Sequence, residues 1–450
     1  MGGRRCTAWW RVGTWRGRAP VSVRLGAVAA LLGAVAGLPA QGARAAGAAV
    51  ASAAPAPYAF AEDAERIDGA DSTAGAVRLE PGTVYRSSLP RSGKAFYRLE
   101  LDGTTNAYVS ATAVPPPGSA VSALDGIRVS VRNDDGRSCS PLATERFGAD
   151  GSPRPVTAWG AREISPARSL CRRAGAYYVS VERVGRAGEG PAPQAWDLEL
   201  AAVTEPRLER AGASAAPEAW NSASPRPLSG EAGRRRGGAG FFRATPLGQG
   251  IWQDDIRPGR TLFYKVPVDW GQQLYVTAEL SGPGPDATGF VAGALDLSLH
   301  NPARGRVEDV DIGYDGRQKS GSLPPLPPAG YANRYAAAGK VRAMRFAGSY
   351  YLVAHLAQKV AGTFGDGPFE LTLRVRVSGT PQAGPGYAGE SVPRDVFEVT
   401  GRDREAAAEG VSAGSDTAMR ALAFGGIGTG SVLLVGLGVW TAVARRGASS

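Results

Sequence analysis

Histidine occurs twice, cysteine three times and lysine five times in a chain of 450 residues. Each scarcity excludes something. His300 and His355 stand alone, and neither belongs to the H-E-x-x-H pair of a zinc hydrolase. Five scattered lysines supply no motif for a lysine nucleophile, and no phosphate-binding P-loop is present. The chain therefore reads as a non-enzyme. A hydrolase whose site is assembled from dispersed residues is the alternative, to be tested through His300 and His355. Outside the two termini no long stretch holds a helical apolar stripe, which excludes a helical bundle.

Basic charge is plentiful, but it is placed at the ends. The net charge is +10. Seven arginines (Arg4, Arg5, Arg11, Arg16, Arg18, Arg24 and Arg44) lie in residues 1–45, which hold no acid, and Arg445-Arg446 lie at the other end. The portion between is close to neutral, so no nucleic-acid footprint is expected. The basic ends instead speak of membranes. Arginines, the apolar run Leu25–Ala40 and small-residue sites such as Ala43-Arg44-Ala45 have the three parts of a signal peptide, assigned to residues 1–45. Arg4-Arg5 leaves the twin-arginine route open beside general secretion.

Ala421–Ala444 carries no charge and at 1.5 Å per residue reaches about 36 Å, enough for a transmembrane helix through the lipid bilayer. Arg445-Arg446 follow at once and place a cytoplasmic tail, 445–450, inside the plasma membrane of a single-pass protein. Cys6 leaves with the signal. In an exported chain the remaining pair, Cys139 and Cys171, is expected to form a disulfide, closing a loop worth roughly 3–4 kcal/mol. A metal site at these cysteines is the weaker alternative, since no histidine lies near either in sequence.

The strongest signal is internal repetition. "AGAYYVSVE" (Ala174–Glu182) returns as "AGSYYLVAH" (Ala347–His355). "AFYRLEL" (Ala95–Leu101) returns as "LFYKVPV" (Leu262–Val268), "AYVSATA" (Ala107–Ala113) as "LYVTAEL" (Leu274–Leu280), "IRVSVRN" (Ile127–Asn133) as "LDLSLHN" (Leu295–Asn301), and "WDLEL" (Trp196–Leu200) as "FELTL" (Phe369–Leu373). The order is conserved and the offset drifts by six residues, so a module has been duplicated. Each segment alternates apolar and polar residues with a period of two, the pattern of a strand buried on one face. Turn signals such as "PPPGS" (Pro115–Ser119) separate them. The fold class is therefore all-β, two tandem antiparallel jelly-roll-like β-sandwiches plus one C-terminal transmembrane helix. Module 1 spans 58–203, a linker 204–224, module 2 225–378 and a stalk 379–416. His300 and His355 fall on the polar faces of their strands and should meet solvent.

The order "FY-R-L-x-L…YVSA", "L-D-L-S-L-H-N-P", "AG-[AS]-YY-x-V" resembles the bacterial pre-peptidase C-terminal domain family. The resemblance covers about 300 residues and is better in the second copy, through Phe263-Tyr264, Leu295–Asn301 and Gly348–Val353. It implies jelly-roll-like sandwiches of secreted enzymes and surface proteins, some of which bind calcium or an extracellular polymer. The companion protease domain is absent here. "EDVDIGYDG" (Glu308–Gly316) places Asp309, Asp311 and Asp315 in one loop, with Asp296 on the preceding strand, and these are candidate calcium ligands, since calcium takes several oxygens from a flexible loop. Arg234-Arg235-Arg236 reads as a solvated loop. Tyr58, Phe60, Trp159 and Tyr387 could contact glycans or finish a core.

Arginine, alanine and glycine are heavily used, a bias of high-GC, actinobacterial type. The expected role is recognition or scaffolding in the cell envelope, with an envelope polymer or another surface or membrane protein as partner. An accessory subunit working through its transmembrane helix is the rival reading.

Overall fold

The computed structural model describes residues 58–409, apart from 92, 141–142, 149–150, 166–168, 186–193, 218 and 283–287. The expected signal peptide, Cys6, the transmembrane segment Ala421–Ala444 and the cytoplasmic tail lie outside these residues. Among the described residues no helix is long and apolar enough to cross a membrane.

The duplication is visible strand by strand. Module 1 contributes β1 (Glu65–Arg66), β2 (Val77–Arg78), β3 (Val84–Leu89), β4 (Lys94–Leu101), β5 (Asn106–Val114), β6 (Gly126–Arg132), β7 (Ala143–Arg146), β8 (Val156–Arg162), β9 (Gly175–Val184) and β10 (Trp196–Glu205). Module 2 contributes β11 (Gly233–Arg234), β12 (Thr245–Pro246), β13 (Gly250–Ile256), β14 (Thr261–Val268), β15 (Gln273–Leu280), β16 (Val291–His300), β17 (Arg306–Tyr314), β18 (Lys319–Ser322), β19 (Gly348–Leu356) and β20 (Phe369–Ser378). The sheets of module 1 run β1-β3-β10-β5-β8 and β2-β4-β9-β6-β7. Those of module 2 run β11-β13-β20-β15-β18 and β12-β14-β19-β16-β17, the same orders with every label raised by ten.

The repeated "AG-x-YY" has a local cause. Gly175 and Gly348 take positive φ, 140° and 126°, at the entry to β9 and β19. The first tyrosine of each copy then reaches back four residues: Tyr177 Oη donates to the Arg173 carbonyl and Tyr350 Oη to the Phe346 carbonyl, each at 2.7 Å. This bond fixes where each strand begins, and with it which residues point inward.

Each module has its own core. Trp196, Tyr97, Phe147 and Leu198 sit among the buried residues of module 1, and Tyr264, Leu297, Tyr350 and Leu371 among those of module 2. The disulfide joins Cys139 to Cys171 beside the first core.

Alternation of burial holds in β4 and fails in β5, β8 and β16, which are buried on both faces. The second face is covered by the other module. The outer face of β1-β3-β10-β5-β8 packs on the outer face of β12-β14-β19-β16-β17, making a seam with apolar clusters around Tyr108, Phe346 and Phe397 and around Tyr58, Phe241 and Phe263. His300 and His355 are consequently buried, at 6% and 0% exposure, and not at the surface as their polar-face register suggests.

Two further expectations are corrected by the packing. Thr204 and Glu205 belong to β10, and the segments read as linker and stalk pair with each other. Thr204 N–H donates to the Val392 carbonyl at 2.7 Å, Glu209 N–H to Gly386 and Ala388 N–H to Arg207. Phe397 stacks on Phe346 with centroids 4.4 Å apart, and Gly248 N–H donates to Ala407 in α3 (Gly401–Glu409). Over 387–397 the chain lies along the seam, where Tyr387, Val392 and Phe397 complete that interface, and α3 packs against β12 and β14 of module 2. The span 302–346 contains β17, β18 and two short helical turns.

Among the described residues, five module 1 glutamates meet module 2 arginines. Across the seam Glu199 pairs with Arg304 at 2.6 Å, Glu205 with Arg334 at 2.6 Å, Glu145 with Arg306 at 2.5 Å, and Glu163 with Arg345, while Glu62 pairs with Arg243 at the exposed margin. Glu205 also accepts from Asn106 Nδ2, Tyr108 Oη and Tyr387 Oη. Burial pushes its carboxyl up, but Arg334 and these donors outweigh burial and hold it below the ordinary value. Glu205→Ala should strand Arg334 and cost about 3–5 kcal/mol in urea unfolding. The double replacement Glu205→Leu with Arg334→Met should cost much less, because no lone charge stays buried. Equal losses in both variants would deny the pair this role.

Candidate ligand groove at the module seam

A cavity of about 700 Å³ opens at one margin of the seam, within the range of small-ligand sites. Module 1 supplies one wall through Tyr58, Phe60, Arg86 and the proline turns Pro115–Pro117 and Pro153–Pro155, and module 2 the other through Gly259, Thr261 and Gln358. "PPPGS", which the sequence marks only as a turn, forms this rim together with Ser152–Pro155. Their fixed φ makes it stiff.

The wall is held by charge. Arg86 on β3 pairs with Asp197 on the neighbouring β10 at 2.8 Å, and its guanidinium lies over the Phe60 ring, 4.3 Å from the centroid. Tyr58 is edge-on to Phe60 and to Phe263 of module 2, and its hydroxyl donates to Glu199 at 2.9 Å. Burial, with Glu199 beside it, pushes the Tyr58 hydroxyl well above its ordinary value, so it stays a donor. The groove therefore offers an aromatic face, apolar proline edges and one ion pair half open to water.

The other expected aromatics divide. Tyr58 is an anchor of the seam. Trp159 stacks on Tyr108 with centroids 5.6 Å apart and lines a second cleft of about 420 Å³ with Tyr331, Tyr335 and Arg342. Tyr387 binds Glu205.

The four expected calcium ligands are not gathered into a cage. Glu308–Tyr314 belongs to β17, so the segment is a paired strand and not a loop. Asp311 lies opposite Asp296 and Asp309 opposite Ser298. Cations already share that face: Arg306 pairs with Asp309, and Arg154 lies 3.8 Å from Asp296. Asp315 is beyond the strand end and pairs with Lys319 at 2.7 Å. Among the described residues no group of three His, Cys, Asp or Glu side chains is disposed to hold a metal ion.

The histidines are placed for structure. His300 Nε2 lies 3.3 Å from Ser298 Oγ and its Nδ1 3.2 Å from the Arg304 carbonyl. The cavity that His300 lines is about 30 Å³, room for a water and not for a substrate. His355 Nδ1 lies 2.9 Å from Thr261 Oγ1. The feature the sequence conceals is the row of arginine partners, since Arg304, Arg334 and Arg345 come from loops and a turn.

Burial tunes two neighbours in opposite directions. Desolvation pushes Asp296 up to about 7, with Arg154 pulling back and Asp311 pushing further. Desolvation likewise pushes His300 down to about 4, the Arg304 carbonyl opposing it. The aspartate favours the folded state when protonated, so its contribution fades as pH rises from 3.8 through about 7. The histidine favours it when neutral, so its contribution fades as pH falls from 6.5 through about 4. Melting curves should therefore separate them. Asp296→Asn should gain Tm relative to the native chain on going from pH 4 to 7, and His300→Gln should gain on going from pH 6.5 to 4. Differences that stay flat with pH would mean that neither group is so tuned.

No family model matches the chain, and no curated protein matches it; membership of the pre-peptidase C-terminal family is thus not shown. Among solved structures, similarity is found to a Parabacteroides distasonis protein described as secreted, at 10% identity and a TM-score of 0.17, covering 72% of this chain and 97% of that one. The tandem CBM22 modules of Paenibacillus barcinonensis Xyn10C match at 10% identity and a TM-score of 0.16, covering 65% of this chain and 85% of theirs. The tandem CBM51 modules of the Streptococcus pneumoniae family 98 glycoside hydrolase match at 8% identity and a TM-score of 0.16, covering 66% and 83%. Similarity of this degree carries no argument about a ligand.

Proposed function

We propose that the chain is an exported recognition or scaffolding protein of the cell envelope, in which two sandwiches act as one body and read a ligand in the groove between them. The observation that carries this reading is the seam. Buried glutamate–arginine pairs join the modules, and the groove takes its walls from both. Such a wall is pre-organised, so binding costs little ordering. The Cys139–Cys171 disulfide fits an oxidising compartment. The charge-free run Ala421–Ala444 would hold the body at the membrane. The ligand would be a segment of envelope polymer, or an exposed loop of a neighbouring surface protein, laid against Phe60 and the proline rim.

Photo-crosslinking in intact cells tests this. A benzophenone amino acid replacing Pro117, on the groove, should capture one discrete species, while the same group replacing the exposed Val77 on β2 should not. Collapse of the adduct on digestion with a cell-wall hydrolase would assign it to polymer, and collapse with protease to a protein. No adduct at Pro117, or the same adducts at both positions, would sink the groove reading.

A further inference from the structure

The run Arg234-Arg235-Arg236 is not a loose solvated loop. Gly233–Arg234 pairs in parallel with β13, and Arg235 N–H donates to the Gln253 carbonyl at 2.9 Å, which pins the run to a sheet edge. The turn after β13 folds back through Arg260 N–H to the Arg257 carbonyl at 3.0 Å, a shape Gly259 permits with φ 77°. The two features face one cleft of about 550 Å³, lined by five arginines against Asp254 and Asp255.

The charges there are not cancelled. Asp255 pairs with Arg234 at 2.7 Å. Asp254 accepts from Gly237 N–H and Tyr264 Oη and has no arginine partner. Arg235 lies over Trp252 and donates to the Ala408 carbonyl, with its Nε buried and without an acceptor. Arg257 donates to the carbonyls of Asp366 and Gly367. Carbonyls fix these two guanidinium groups in place without neutralising them. Arg236 and Arg260 make no side-chain hydrogen bond or ion pair in this cleft and leave their planar donor forks free.

We infer that this cleft binds an envelope polymer that carries oxyanions, phosphate or carboxylate, seated on Arg236 and Arg260. Guanidinium forks match both groups in a bidentate way. The carbonyl-held Arg235 and Arg257 supply a fixed positive field, and a chain of anionic units gains over a single anion by engaging several forks in turn. The cleft stands apart from the seam groove; that its polymer belongs to the envelope rests on the proposed export of the chain, while oxyanion binding at Arg236 and Arg260 does not.

The test uses the full-length chain with four probes: poly(glycerol phosphate), polygalacturonate, inorganic phosphate and a DNA oligonucleotide. Poly(glycerol phosphate), polygalacturonate or both should bind, more weakly as salt is raised. Arg236→Ala and Arg260→Ala should each weaken binding about tenfold, with melting temperature little changed because neither side chain makes an internal hydrogen bond or ion pair. Arg210→Ala, at an exposed site elsewhere, should change nothing. Binding of both polymers assigns the cleft to oxyanions in general, and binding of one assigns it to phosphate or to carboxylate. The inference is overturned if neither polymer binds at low salt, if both arginine variants bind like the native chain, if inorganic phosphate binds as tightly as polymer, or if DNA binds tighter than either polymer.

Discussion

The structure depends on burying charged side chains between two sheets without leaving any of them alone. A strand that is apolar on one face and polar on the other satisfies one sandwich and leaves the polar face to water. Here two such faces are pressed together. Isolated carboxylates would be intolerable there, so module 1 presents glutamates where module 2 presents arginines. Glu205 accepts hydrogen bonds from four different residues, drawn from β5, the turn around Arg334 and the segment after module 2. Such a network is weak as net stabilisation and strict about geometry. The docking that satisfies it also shapes the groove.

Duplication explains how the two faces came to differ. The seam joins sheets that are not equivalents: β1-β3-β10-β5-β8 meets β12-β14-β19-β16-β17. The face of module 1 that corresponds to module 2's half of the seam is solvated, and it carries surface pairs instead. Glu182, the counterpart of His355, pairs with Lys94 at 2.9 Å and Arg128 at 2.8 Å. Arg128 and Arg132 stand where module 2 has the buried Asp296 and His300. Copies that fold alike have diverged most on the face that one of them buries.

That divergence marks the limit of what was legible. The paired segments, the strand register and the disulfide could be read because each is local or repeated. A period of two tells that His300 and Leu299 face opposite ways; it cannot tell whether the second side meets water or another sheet. The same blindness produced the stalk. Residues 379–397 are rich in glycine, proline and charge, like a spacer, yet Tyr387 and Phe397 are the two residues there that the seam requires. The calcium reading failed on a related point. "EDVDIGYDG" has the acid content of a ligand loop, but its alternation of Val310, Ile312 and Tyr314 with aspartates is also a strand pattern, and pairing with β16 decided for the strand. Arginine partners from loops obey no period at all, so the seam's chemistry was invisible even though the core face of each module was written plainly.

Heterologous stacking of this kind has a structural hazard, because a joint between non-equivalent faces does not close on itself and could continue from copy to copy. The chain blocks that extension at both ends. On module 2 the face of β11-β13-β20-β15-β18, the counterpart of module 1's half of the seam, is crossed by the segment leading into the module. Gln273 donates to the Asn221 carbonyl, Arg374 to Leu228 and Arg376 to Arg226. Thr372 stands there in place of Glu199, so the carboxylate that would call for a buried arginine is gone. On module 1 the opposite face keeps exposed ion pairs that would be costly to desolvate. The chain thus specifies two modules and stops, in the way that polar caps end a repeat array. The segment between the modules is a cover for one sheet as much as a tether.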